Sequence, residues 1–160
     1  MQTAPETSRE DLIVLLASVP ERAADLTGGI DAARLGYRHG PAFPNLQEVL
    51  HHLCQGGPTG DAWVRELRAG HAAGDDVSWT QPWDVEDADP ESVRAQLDDF
   101  ARLRRRTVDW LRGLPDADWE EVGAGPEGGQ ESLSEVCQQL ASHELGHLVQ
   151  LRNLIALLPD

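Results

Sequence analysis

The chain has 160 residues, 40% of them hydrophobic, enough for one domain around one core. Against 28 Asp and Glu it carries 13 Lys and Arg, a formal net charge of -15 spread along its length; such a surface repels phosphate backbones and argues against nucleic acid as a partner. No apolar run is long enough for a bilayer, and the polar, acidic opening from Met1 to Asp11 lacks the order of a signal peptide, so a cytoplasmic protein with no membrane partner is expected.

Ser8 is placed to cap a first helix, with Asp11 in its first turn. Its inward stripe is Leu12, Leu15, Leu16 and Val19. Pro20 is expected to kink or interrupt it, and Gly28-Gly29 to stop it. Residues from about Ile30 to Pro44 read as a loop or short turns. Asn45, with Glu48 three residues on, forms a capping box that opens a second helix with Leu46, Val49, Leu50 and Leu53 on its apolar side. Gly56-Gly57-Pro58 reads as a break or kink before Trp63, Val64 and Leu67 resume the pattern. Asn45 to Ala69 is thus one bent helix or two abutting ones. Cys54 and Cys137 are too few and too far apart for a disulfide framework and read as small buried hydrophobes.

A long connection from Gly70 to Asp89 contains Trp79 and Trp83, read as packing residues. Asp89-Pro90-Glu91 starts a third helix: a cap, then proline at the first helical position, then an acid. Val93, Leu97, Phe100, Leu103, Val108 and Leu111 give its apolar spacing, and it ends near Gly113. Arg102, Arg104, Arg105 and Arg106 read as a solvated face paired with nearby acids. After a loop from Pro115 to Glu131, Ser132 and Glu135 form a second capping box. The fourth helix runs from about Leu133 to Leu158, with Leu133, Val136, Cys137, Leu140, His147, Leu151, Leu154 and Leu158 inward. Four long helical patterns and no convincing strand predict an all-α four-helix bundle with long connections, residues 1–160 forming one domain.

The chemistry concentrates in His143-Glu144-Leu145-Gly146-His147. Histidines four apart on a helix share a face, and both rings can reach one ion at about 2.0–2.1 Å. On the stripe drawn above they point into the core. The five residues also match the H-E-x-x-H pattern of zinc proteases. The positions where extended proteases carry Gly and a further His hold Gln150 and Asn153, however, and there is no strand edge to hold a peptide. Glu144 lies about 100° round the helix from His143 and reads as a surface residue. A third ligand has to come from His39, His51, His52 or His71. His39 and His71 sit in or beside glycine-flanked loops and read as exposed. Of the adjacent His51 and His52 only one can face inward; three residues after Val49, His52 falls closer to the buried side.

Leu46-Gln47-Glu48-Val49-Leu50-His51-His52-Leu53 resembles a stretch ending in His-Leu in the DinB/YfiT-like superfamily of bacterial metal-binding four-helix bundles. Ser142 to Leu151, with His143, His147 and Gln150, resembles that family's last-helix His-x-x-x-His followed by Leu-x-Gln. Ser18-Val19-Pro20-Glu21-Arg22 fits a proline common in its first helix. The resemblance implies a three-histidine site, His52, His143 and His147, for a divalent ion such as zinc, nickel or manganese. It implies a metal-dependent transferase or hydrolase, foremost a thiol S-transferase of the bacillithiol or mycothiol type, working on a small-molecule thiol and an electrophile as a homodimer. The alternative is a non-catalytic metal- or ligand-binding, stress-associated protein. Where relatives continue past the first histidine with an acidic residue, this chain has Cys54-Gln55-Gly56-Gly57-Pro58.

Overall fold

Each long helix starts where a side chain takes up an amide that the helix itself leaves without a partner. The computed structural model describes residues 7–68, 88–124 and 129–159. Ser8 accepts from the Asp11 amide (3.2 Å) at the start of α1, Arg9–Thr27. A four-residue α2, Ala32–Leu35, capped by Asp31, lies within the expected loop. At α3, Leu46–Arg68, the capping box closes both ways: the Glu48 amide donates to Asn45 Oδ1 (2.8 Å) and the Asn45 amide to Glu48 Oε2 (2.9 Å). Asp89 accepts from the Glu91 amide (3.0 Å) ahead of α4, Pro90–Arg112. A short α5, Asp116–Trp119, follows. The last helix, α6, Leu133–Ala156, opens on the reciprocal Ser132–Glu135 box.

Contacts along the helices set their directions. The Asp89 amide donates to Gln47, His51 meets Gln96, and Asp61 meets Arg104, so α3 and α4 run parallel although consecutive. Arg112 near the end of α4 reaches Glu10 near the start of α1 (3.8 Å), so that pair is antiparallel. α6 runs against α3, since His52 faces His143 and His147 while Gly60 abuts Leu140. The order is therefore up, down, down, up, a bundle with a crossover in its middle connection. Trp79, Trp83 and His71 fall in that connection, outside the described residues.

Two apolar clusters fill the bundle. One gathers Leu12, Ile13, Leu16, Val64, Val108, Leu111, Trp119, Val136 and Leu140. The other gathers Val19, Leu46, Val49, Leu50, Leu53, Leu97, Phe100, Leu148 and Leu151. On each helix the boundary falls at one place: between Leu16 and Val19, at Asp61, at Arg104 and at Glu144.

Several expectations are corrected. The arginine run is not wholly solvated: Arg104 is 1% exposed, on the stripe Phe100-Arg104-Val108, while Leu103 is only half-buried. Pro20 neither ends nor divides α1, and its ring is buried. Proline removes the amide that would bond the carbonyl four residues back; here that carbonyl, Leu16, accepts from Arg104 Nη1 at 3.0 Å. Of the two readings of Asn45 to Ala69, one helix holds and two abutting ones do not: Gly56-Gly57-Pro58 lies inside a continuous α3. A methyl on Gly57 would overlap the Phe100 ring, and one on Gly60 would overlap Leu140, so these glycines let α3 approach α4 and α6. Finally, strands exist. β1, Val122–Ala124, pairs antiparallel with β2, Gln130–Ser132, in the register Val122↔Ser132, Gly123↔Glu131, Ala124↔Gln130. Three residues are too few for an alternating pattern to show in sequence.

Candidate metal centre

His52 comes from the first turns of α3, and His143 and His147 from one face of α6, a turn apart. The three rings converge. Their centroids lie 5.6 Å (His52 to His143), 4.7 Å (His52 to His147) and 4.5 Å (His143 to His147) apart. One ring nitrogen from each falls within 4.8 Å of the others. Nε2 of His143 and Nε2 of His147 are 3.2 Å apart. Two nitrogens bound tetrahedrally to one ion at about 2.0–2.1 Å would stand roughly 3.3 Å apart. The pair is thus already spaced as ligands of one ion, and an all-imidazole set is borderline-soft chemistry that suits a divalent transition metal.

The protonation states agree. Burial first, then the neighbouring His147 and His52, push His143 down to about 4. Burial, with His147 and His51, also lowers His52. Both rings are therefore neutral at neutral pH, the form that offers a lone pair to a metal. Gln150 presents its carboxamide oxygen to Nδ1 of His147 at 3.0 Å. Nδ1 then carries the proton, and Nε2 keeps its lone pair toward the other rings.

The structure separates the other candidates. His51 turns to α4, its Nδ1 3.0 Å from Gln96 Oε1. His39 is exposed and lies edge-on to Phe43. Cys54 is buried and outside the cluster, its thiol pushed up to about 12 by burial and by Glu144. The imidazoles are less deeply set than expected: His52 is buried, but His143 and His147 are half-buried.

Glu144 is the largest departure from the sequence reading. It is 1% exposed, and its carboxylate takes Nη1 and Nη2 of Arg104 at 2.7 and 2.6 Å. The glutamate of the H-E-x-x-H pattern is thus engaged by a buried guanidinium and is not held as a base. Arg104 Nε also donates to Asp61 Oδ1 at 3.0 Å. A signal for this pairing lay in the sequence: Leu140, Glu144 and Leu148 are spaced by four, as are Phe100, Arg104 and Val108, which puts an acid and a base on leucine-type stripes.

The DinB superfamily model matches residues 15–151. The chain belongs to the DinB superfamily. Among solved structures, this DinB superfamily member is similar to YfiT from Bacillus subtilis, a probable metal-dependent hydrolase with an unusual four-helix bundle topology. The TM-score is 0.75 at 15% identity, over 96% of this chain and 89% of that one. It is also similar to a mycothiol-dependent maleylpyruvate isomerase, with a TM-score of 0.57 at 16% identity, over 94% of this chain and 63% of that one. At such identities the likeness shows the fold. No curated protein sequence matches. Among the described residues no helix is long and apolar enough to cross a membrane.

Proposed function

We propose that His52, His143 and His147 hold one divalent ion, zinc, nickel or manganese, and that this DinB superfamily member is a metal-dependent transferase or hydrolase of small molecules. Within that class the reading favours a thiol S-transferase of the bacillithiol or mycothiol type. The observation that carries it is the convergence of three imidazoles from two helices, with one ligand atom from each within 4.8 Å of the others. The structural neighbours, one described as a metal-dependent hydrolase and one as a mycothiol-dependent isomerase, support the class.

An ion in such a site supplies Lewis acidity, lowering the pKa of a water or thiol that reaches it. The protein's part is to keep the His52 and His143 rings neutral by burial, to fix the His147 tautomer through Gln150, and to leave His143 and His147 half-exposed to an incoming ligand. Among the described residues no carboxylate joins the three nitrogens, and a set of imidazoles alone would leave an ion its charge to polarise a substrate. The partners in this reading are a low-molecular-weight thiol and an electrophile, and the working form is a cytoplasmic homodimer.

Elemental analysis of purified protein tests the site. Roughly one divalent ion per chain is expected, with loss of that ion in His147→Ala. Metal absent from both would sink the reading. Thiol consumption by the loaded protein, given a panel of low-molecular-weight thiols and an electrophile, tests the chemistry.

A further inference from the structure

We propose that Asp61, Arg104 and Glu144 are positioning residues of the histidine site: one buried guanidinium holds α3 in register against α6 and so sets the gap between His52 and the His143/His147 pair. This rests on the reading of the three histidines as a metal site.

Arg104 makes four hydrogen bonds, to Asp61 Oδ1, Leu16 O and both oxygens of Glu144. From α4 it thereby touches each of the other three long helices. Two of those helices carry the ligands. Glu144 adjoins His143 and stands three residues before His147; Asp61 stands nine residues beyond His52. All three side chains are 1% exposed.

The leucine layers above and below cannot fix this register so finely. Apolar burial is non-directional, and its free energy changes little when two helices slide a few tenths of an ångström. A bidentate guanidinium–carboxylate pair does not tolerate such a slide, because its bonds weaken steeply with length and angle. Metal ligands need the same tolerance, about ±0.2 Å. Gly57 and Gly60 set how closely α3 approaches its neighbours, but not where along their axes it sits.

Stability alone does not account for the cluster. A buried ion triad replaced by apolar side chains of similar volume is commonly neutral or more stable. This triad also carries one buried cation against two buried carboxylates. A bundle selected only for stability has no use for that arrangement; a bundle that must hold three imidazoles in register does.

The test is cobalt(II) binding by the full chain, read by chelator competition and by the visible d–d band, alongside thermal melting. The variants are D61L/R104M/E144M and Glu144→Gln. The triple variant is expected to melt at or above the wild-type temperature, to bind cobalt at least about tenfold more weakly, and to show a shifted or weakened band. A folded triple variant with wild-type affinity and band overturns the proposal. If the triple variant does not fold, Glu144→Gln decides. It keeps the side-chain shape but breaks the bidentate pair, so a loss of about tenfold or more supports the proposal and wild-type affinity overturns it. Wild-type protein that takes up no cobalt overturns the metal reading itself, and this inference with it.

Discussion

The carbonyl oxygen of Leu16, which Pro20 deprives of its helical donor, accepts instead from the guanidinium of Arg104 at 3.0 Å. A proline in the first long helix and an arginine in the third are thus two halves of one arrangement. The arginine can be buried because a carbonyl and two carboxylates accept hydrogen bonds from its N–H groups. The proline can be housed mid-helix because an outside donor replaces the lost amide.

Arg104→Met removes the donor to all these acceptors and is expected to cost about 3–5 kcal/mol, as breaking a buried ion pair from one side does. In the Pro20→Ala background the restored amide can bond Leu16 again, so about 1 kcal/mol of that loss should return. A double-mutant cycle by chemical denaturation measures the coupling. Strictly additive changes would mean that the two residues do not share the carbonyl.

Gly57→Ala and Gly56→Ala make a matched pair within α3. The added methyl at Gly57 meets the Phe100 ring, whereas at Gly56 it meets open space. The first is expected to destabilise by about 1–3 kcal/mol, the second to stabilise by up to about 1 kcal/mol through helix propensity. Equal midpoints in urea would show that α3 and α4 do not touch there.

Asp61 gives stability a pH dependence of its own. Burial, helped by the charge of Glu144, pushes its carboxyl up to about 6 from an ordinary 3.8; Arg104 and the Thr107 hydroxyl pull the other way without winning. The folded state therefore holds this proton more tightly than the unfolded chain does. The associated stability is full below about pH 4 and lost as pH rises through about 6, on the order of 2–3 kcal/mol. Asp61→Asn cannot ionise. The wild-type advantage over this variant should thus shrink across that window, while the opposing titration of His143 cancels in the difference. A pH-independent difference would contradict the raised value.

Gln150→Ala removes the carboxamide oxygen to which Nδ1 of His147 donates and weakens the hold on its tautomer. With the fold unchanged, affinity for a divalent ion should fall by about 10- to 100-fold, as it does when a ligand's orienting partner is lost. Competition against a chromophoric chelator reads this directly. An unaltered affinity would mean that packing alone orients the ring.

What could be read along the chain was what physics writes within about one turn of helix. The caps at Ser8, Asn45, Asp89 and Ser132 stand where expected because a side chain and an amide two or three residues apart need nothing else. The pairing of His143 with His147 follows from helical pitch, and the choice of His52 over its neighbour from the apolar stripe beside it. Folding decided the rest. Whether Arg104 and Glu144 are solvated or buried depends on what stands opposite them, and their partners lie 40 and more residues away on other helices. The glycines of α3 read as breaks until the Phe100 and Leu140 side chains that fill their missing volume are in place. A stripe of leucines says which face of a helix turns inward. The direction in which the next helix runs past it, and therefore which charge meets which, is settled only when the whole bundle packs.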